Sequence, residues 1–304
     1  MHDVAAELMP KAPFDFGQSL AFLRGFPLTR GERMIGECAL TRAVSSEGQP
    51  VVFRVVDDGT VDEPRLTCTL WSDREVGATV ERAVRDRIAF FLSIADDLAP
   101  FYAIARTDAP MLPVIERLHG YHQVKFLTPF ENAAWAILSQ RTPMATAQKI
   151  WQALVQRYGD SLTVDGETHR AFPTADRLAT LSPDDLFAIL PNTRKAPYLH
   201  AVARAFDDVD EGWLRTAPYD DVRAWLRATP GIGEWSATFV LIRGLGRMEQ
   251  ISNEEAVLRA AARVYGPAAG TPDGVREHAA RYGAHPGYWA LYLRTYAMDA
   301  VSSS

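Results

Sequence analysis

The hydrophobic pattern of this chain changes once, near Glu81, and that change constrains the fold more than any other feature. Before it, short segments rich in β-branched and aromatic residues are separated by turn sequences. These segments predict strands over 34–43, 51–56 and 65–71. After Glu81 the helical period takes over and no strand is expected. The pattern predicts an α+β fold, in which an antiparallel sheet is followed by an all-α region.

The α-helical region divides into helices of ordinary length. Apolar residues at helical spacing predict a well-buried helix over 129–140 and a second helix that ends at Gly159. A short polar corner, Gln-Arg-Thr-Pro at 140–143, lies between these two helices. Further helices are predicted over 182–190, 194–206 and 220–227.

Length and charge narrow the class of protein. With 304 residues, 47% hydrophobic and 23% charged, the chain is expected to form two or three packed units. The formal net charge of −6 argues against a protein that coats nucleic acid by charge alone, so any nucleic-acid-binding face must be local. No apolar run approaches the roughly 20 residues of a membrane span, and residues 1–11 do not resemble a secretory leader. A cytoplasmic protein without membrane contact is expected.

Cysteine and histidine usage argues against disulfide and metal chemistry. Cys38 and Cys68 are too few for a disulfide scaffold, a four-cysteine zinc site or an iron–sulfur cluster, and both are expected to be buried free thiols. The histidines show no ligand spacing, so no metal site built from side chains is predicted.

The most informative segment spans residues 225–241. A helix runs into the turn Pro230-Gly231-Ile232-Gly233, and a second helix leaves it. The glycines allow a tight turn and leave backbone N–H groups uncovered where the helix dipole favours an anion, such as a DNA phosphate. Ile232 is expected to insert into the core and hold the turn. Taken alone, the turn favours a plain helix-to-helix connection, because helical hairpins are common.

Other segments give this hairpin its context. Gly-Leu-Gly at 244–246 follows it, and carboxylates then open a helix within 251–259. With Pro-Phe-Glu-Asn-Ala at 129–133 and the order of several further segments, the chain resembles the bacterial 3-methyladenine DNA glycosylase II family of the helix-hairpin-helix superfamily, nearly from end to end. The further segments are Pro-Phe-Asp-Phe at 13–16, Leu-Ser-Gln at 138–140, Phe-Pro-Thr at 172–174, Arg-Lys-Ala at 194–196 and the closing helix at 290–296.

The resemblance implies an N-terminal antiparallel sheet domain over 1–105 and a helix-hairpin-helix glycosylase region over 106–304. In the latter, two helical lobes would flank a base cleft, with the hairpin at about 222–241. Family members bend DNA and push a side chain into the gap left by the flipped nucleotide. Arg141 falls at this wedge position, next to Gln140; the alternative is a solvated loop arginine.

Three aromatic residues match the family's base pocket. Trp235 and Phe239 are four residues apart and share a helix face, and Phe22 matches a third position. Their rings would favour a positively charged alkylated purine by stacking and cation–π attraction. The alternative is that they are core aromatics. Because Trp235 stands where bifunctional members carry a nucleophilic lysine, the resemblance implies a monofunctional enzyme.

The family's catalytic aspartate aligns with Glu255, which keeps the charge but adds one methylene; Glu254 is the weaker candidate. Another interpretation of Glu255 is a capping box with Ser252, whose Ser-x-x-Glu spacing it completes.

The leading hypothesis is a monomeric base-excision repair N-glycosylase that acts on alkylated purines in double-stranded DNA containing damaged bases, and that needs no cofactor. The resemblance also allows a monovalent cation at the hairpin. The rival hypothesis is a DNA-distortion binder that kept the fold but lost catalysis. A helical protein module without DNA function would require every match to be accidental.

Overall fold

The computed structural model describes residues 1–29, 35–36, 38–190, 194–251 and 254–302. Its N-terminal part contains a four-stranded antiparallel sheet in the order β1-β4-β3-β2. The strands are β1 (His2–Leu8), β2 (Ala39–Ser46), β3 (Gln49–Asp57) and β4 (Leu66–Ser72). The α+β fold is therefore confirmed, and β2, β3 and β4 correspond to the three predicted strands. The edge strand β1 was not predicted, because its sequence alternates weakly and most of it is exposed or half-buried.

Both faces of the sheet are covered. Helices α1 (Phe16–Gly25) and α2 (Ala78–Phe91) contribute to the core on one face, where Phe53 of β3 lies opposite Leu70 of β4. On the other face, Val52 packs in a small cluster with residues from a later part of the chain.

That later part is a β-hairpin, and the expectation that no strand follows Glu81 is therefore wrong. Strands β5 (Ser161–Val164) and β6 (Glu167–Arg170) pair in antiparallel fashion. Asp165 and Gly166 form the turn with φ of 52° and 80°, the left-handed conformation that two-residue hairpin turns require. The Asp-Gly pair was the available signal, but strands of four residues give almost no periodicity to detect.

The remaining regular structure within the described residues is helical. The α-helices are α3 (Ala99–Ala105), α4 (Leu112–Arg117), α5 (Pro129–Ser139), α6 (Met144–Tyr158), α7 (Ala175–Ala179), α8 (Pro183–Phe187), α9 (Lys195–Asp208), α10 (Glu211–Thr216), α11 (Tyr219–Ala228), α12 (Glu234–Phe239), α13 (Glu255–Tyr265), α14 (Pro272–Ala280) and α15 (Pro286–Ser302). Short 3₁₀ turns occupy Ala109–Met111 and Pro267–Gly270, and a π-helical turn, Val240–Gly244, continues α12. The predicted helix over 182–190 is shorter than expected and ends at Phe187.

The helices enclose two cores. One is formed around α5, which is buried along nearly its whole length and is capped by Thr128, whose hydroxyl accepts the Glu131 N–H at 3.0 Å. The other joins α3 and α4 to α13, α14 and α15. The closing helix fills this second core with Trp289 and Tyr292. The division at residue 105 stays a prediction, since Phe22 packs against both the sheet core and this C-terminal core.

The two cysteines differ from expectation. Cys68 is buried in β4, and burial raises the pKa of its thiol to about 12, but Cys38 is exposed. Cys38 lies just before β2, outside the core, so the expectation that both thiols are buried is wrong for this residue. Within the described part of the chain, the longest apolar helices fall short of what crossing a membrane requires.

Candidate nucleic-acid interface

The polar corner between α5 and α6 has an unusual backbone. Arg141 is exposed and has φ of 47°, a left-handed conformation that costs a non-glycine residue about 1 kcal/mol. Neighbouring groups must therefore hold it. The Thr142 N–H donates to Ser139 O at 3.3 Å, and the Thr142 hydroxyl donates to Gln140 O at 3.0 Å. The corner is thus a defined turn that presents Arg141 to solvent.

The hairpin between α11 and α12 is closed tightly by Gly231. This residue has φ of 92°, and a Cβ placed on it would lie 2.6 Å from Tyr198 Cβ and 3.0 Å from Ile137 Cδ1. Any side chain would therefore push the turn away from α5 and α9. Ile232 is 5% exposed and packs in the core around α5, as the sequence predicted.

Gln140 joins the polar corner to the hairpin. Its side-chain nitrogen donates to Gly231 O at 3.0 Å and to Ser236 Oγ at 2.9 Å. This link between loops some 90 residues apart was not foreseen from the sequence. Its predicted place in the wedge stays a prediction.

Corner and hairpin line one open groove of about 960 Å³, together with the start of α9 and residues 227–236. Its basic residues are Arg141, Arg194, Lys195 and Arg227. Among the described residues that line it, the one carboxylate is Glu234, which forms ion pairs with Arg227, at 3.1 Å, and with Arg223. A local basic surface therefore exists on a chain whose net charge is −6.

The predicted pocket aromatics belong to one ladder of rings. Trp235, which is 48% exposed and lines the groove, stacks on Phe239 with centroids 5.1 Å apart and ring planes 8° apart. Phe239 meets Phe126 edge to face at 6.1 Å, Phe126 meets Phe26 at 5.6 Å, and Phe26 stacks on Phe22 at 5.6 Å. The structure thus connects the three predicted rings through two that the sequence analysis missed. The spacing of Phe22 and Phe26, four apart, was the available signal for one of them.

A buried arginine lies at the inner end of the ladder. The Arg243 guanidinium is 4.4 Å from the Phe22 ring centroid and 5.4 Å from that of Phe26. Burial, followed by repulsion from Arg294, lowers the pKa of Arg243 to about 9, so it remains charged at neutral pH. Its Nη1 has no hydrogen-bond partner within the described residues. The π-helical turn that carries this residue was not predicted; such turns often occur at functional sites.

The two candidate carboxylates have different surroundings. Glu254 is the N-terminal cap residue of α13; its carboxylate lies 3.6 Å from Arg294, and its side chain is 30% exposed. Its charge also acts on buried Arg243, whose pKa it raises against the larger effect of burial. The Glu255 side chain is 80% exposed and pairs with Arg259, one turn later on the same helix. Ser252, the proposed partner of Glu255 in a capping box, lies outside the described residues.

The polar corner, the hairpin and Trp235 are therefore brought together in one groove, and Phe239 and Phe22 are connected to Trp235 through the ring ladder. Glu254 lies 3.6 Å from Arg294, and its charge acts on Arg243 at the inner end of that ladder. Among the residues that the structure describes, no group of three or more His, Cys, Asp or Glu side chains is placed to hold a metal ion.

Residues 134–284, about half of the chain, match the family described as HhH-GPD superfamily base excision DNA repair protein. The chain is 29% identical over 172 residues to a DNA-3-methyladenine glycosylase of Bacillus subtilis (strain 168), a match that covers 55% of this chain and 57% of that protein. It is 36% identical over 119 residues to DNA-3-methyladenine glycosylase 2 of Escherichia coli (strain K12), covering 38% of this chain and 40% of that protein. The matches thus span about half the length of these curated relatives.

The fold as a whole is also found among solved structures. The structure of a 3-methyladenine DNA-glycosylase from Archaeoglobus fulgidus superposes with a TM-score of 0.78 at 22% identity, covering 96% of this chain and 98% of that one. The similarity includes the N-terminal sheet, which lies outside the matched family segment. At this level of identity it establishes the fold alone.

Proposed function

The chain belongs to the HhH-GPD superfamily of base excision DNA repair proteins, and on this premise we propose that it is a monofunctional DNA N-glycosylase that releases alkylated purines of the 3-methyladenine type. The observation that carries the proposal is the shared groove, which is lined by the polar corner with Arg141, the hairpin and Trp235. These are the three parts that base flipping requires: a side chain to fill the gap, a grip on the backbone and a surface for the extruded base.

Duplex DNA containing a damaged base is the proposed partner, and the protein acts as a monomer. The exposed arginines of the groove, Arg141, Arg194 and Arg227, attract the phosphates, while the turn Pro230–Gly233 offers the backbone N–H groups of Gly231 and Gly233. Arg141 projects from a turn whose conformation is fixed, so it enters the duplex as a preorganised wedge. A monovalent cation bound to the carbonyls of the turn would strengthen its hold on phosphate; no chemical step depends on it.

The flipped base stacks on the exposed Trp235 ring. Base–aromatic stacking contributes about 1–3 kcal/mol for each base, and the electron-rich indole adds cation–π attraction when the base is alkylated and charged. Phe239 supports the indole from behind, and Phe22 marks the inner end of the pocket. Because position 235 carries an indole and not an amine, no Schiff base forms there with the sugar.

The carboxylate that assists bond cleavage is proposed to be Glu254. The C1′–N bond breaks with its electron pair on the base, a water oxygen bonds to C1′, and the carboxylate stabilises the cationic sugar and takes the proton of that water. A group in this role must face the pocket. Glu254 lies beside Arg294 and acts on Arg243, whereas Glu255 points into solvent and pairs with Arg259.

The proposal is tested by single-turnover assays with duplexes that carry 3-methyladenine, 7-methylguanine or hypoxanthine. Free base should accumulate with an equal number of intact abasic sites, and borohydride should trap no covalent protein–DNA complex. Selective binding of these duplexes without release of any base would contradict the proposal and establish the rival hypothesis, a DNA-distortion binder.

A further inference from the structure

The polar corner that carries Arg141 is bound by a buried ammonium group. Lys195, the first residue of α9, is 8% exposed. Its Nζ donates to Leu138 O at 2.6 Å and to the Thr142 hydroxyl. These two acceptors stand on either side of Arg141 in the chain, so a single cation holds both ends of the turn that presents the wedge.

Lys195 is a costly residue for its own helix. A cation at a helix N-terminus opposes the helix dipole, and Arg194 precedes it while no acidic residue occupies the first turn. Burial also disfavours the charge, and it lowers the pKa of Lys195. The compensating interaction is with the C-terminal end of α5, where the dipole is negative and Leu138 O is one of the last helix carbonyls. Lys195 therefore stabilises the C-terminal end of α5 and the polar corner, through Leu138 O and the Thr142 hydroxyl, and not its own helix.

The polar corner and α9 both contact the hairpin. Gln140 binds Gly231 O and Ser236 Oγ, and the Gly231 backbone packs against Tyr198, one turn after Lys195 in α9. The corner is thus anchored on one side to α9 and on the other to the hairpin. Arg141, which lies between these two anchors, is exposed to solvent.

We propose that Lys195 is a positioning residue of the glycosylase, an inference that rests on the function proposed above. It fixes the distance and direction of the Arg141 wedge relative to the hairpin. DNA held at the hairpin by its phosphates then meets the wedge at one particular nucleotide, the one that flips. Because a misplacement of about 1 Å can cost roughly 100-fold in rate, a wedge held in place by two hydrogen bonds from one ammonium is a sensitive control point.

The test compares Lys195→Met, Lys195→Arg and, as a matched control, Lys149→Met, which removes an exposed lysine from α6. Flipping is measured by the fluorescence of 2-aminopurine placed beside the lesion, base release by single-turnover kinetics, and phosphate contact by affinity for undamaged duplex. In Lys195→Met, flipping and release should fall about tenfold or more. Affinity for undamaged duplex should fall by no more than about threefold, because the buried Lys195 ammonium is bound to Leu138 O and the Thr142 hydroxyl and does not face phosphate. Lys195→Arg should restore most of the flipping, and Lys149→Met should resemble wild type.

Two results would overturn the proposal. In the first, the extent of base flipping by Lys195→Met is within about twofold of wild type; in the second, base flipping falls only in proportion to the affinity for undamaged duplex. Should that variant fail to fold, Thr142→Val removes one of the two acceptors at a half-buried site, and the same expectations apply to it. Flipping requires no bond cleavage, so the fluorescence assay judges Lys195 even if wild type releases no base. The failure of the proposed function and the failure of this inference are thereby distinguished.

Discussion

Replacing Gly231 by alanine tests the hairpin geometry most sharply. With φ of 92°, an alanine here is held in a left-handed backbone conformation that costs about 1–2 kcal/mol. Its Cβ would also lie 2.6 Å from Tyr198 Cβ, 2.7 Å from the Tyr198 ring and 3.0 Å from Ile137 Cδ1, and overpacking of this kind costs about 1–3 kcal/mol. A loss of about 3 kcal/mol in the free energy of unfolding is expected, which for 304 residues lowers Tm by about 5 °C.

Gly233→Ala is the matched control, two residues further along the same turn. Its φ is −87° and no heavy atom lies within 4 Å of a Cβ built there, so only the poorer capping by alanine remains, with an expected cost of no more than about 1 kcal/mol. Urea and thermal unfolding of the two variants give the comparison, and affinity for undamaged duplex reports whether the displaced turn still holds phosphate. Equal stability of the two alanine variants would refute the tight closure of this hairpin onto α5 and α9.

Three further perturbations have outcomes that the structure sets. Trp235→Ala should weaken binding of lesion duplex about 10- to 100-fold, the loss of one stacked base, while gel-shift affinity for undamaged duplex is kept; equal losses for both duplexes would contradict its place in the pocket. Burial lowers the pKa of Lys125 from 10.5 to about 8; between these values the unfolded chain binds more protons than the folded one, so wild-type stability should rise with pH relative to Lys125→Met. Urea unfolding at pH 7.5 and 9.5 checks this, and a constant difference would be evidence against it. Burial by itself would raise the pKa of Glu211, but its bidentate contact with Arg87, at 2.8 and 2.9 Å, and the charge of Arg215 lower it below 4.5. Stability that is present above that value is lost as the pH falls through the lowered pKa, so Arg87→Met should cost about 1–2 kcal/mol at pH 7 and show a smaller acid dependence in chemical unfolding; an unchanged acid limb would contradict the pairing.

Much of the fold could be predicted because the spacing of apolar residues within each segment indicates its secondary structure. The helix over 129–140 and the β-rich start follow from spacing alone. The hairpin of β5 and β6 could not be predicted in this way, because strands of four residues are too short to show alternation and gain their stability by covering Val52 and Ala43 of the large sheet. The sequence of the two short strands does not indicate this contact with the large sheet.

In the candidate site, too, local turns could be predicted and long-range contacts could not. The Pro-Gly-Ile-Gly turn predicts a tight hairpin with a buried isoleucine, and both are found. The supports were not predictable: Lys195 holds a corner more than 50 residues earlier, and Phe126 joins rings from opposite ends of the chain. Contacts of this kind depend on how elements pack, not on any pattern within them.

The sequence motif at the start of α13 predicts two adjacent candidate carboxylates, Glu254 and Glu255, but does not choose between them. Glu254 is the cap residue of α13, with extended backbone, and Glu255 is the first residue of the helix. A one-residue shift in alignment therefore separates a carboxylate beside the half-buried Arg294 from one in solvent. Sequence gives the pair, and only the side-chain surroundings distinguish its members.

The most direct test of the account is single-turnover base release from a lesion duplex by Glu254→Gln and Glu255→Gln, each compared with wild type. Both variants remove one charge with little change in shape, and lesion binding by each serves as the folding control. A loss of roughly 100-fold or more is expected for Glu254→Gln, and a rate within about threefold of wild type for Glu255→Gln. The reverse order, or full activity in both variants, would contradict it.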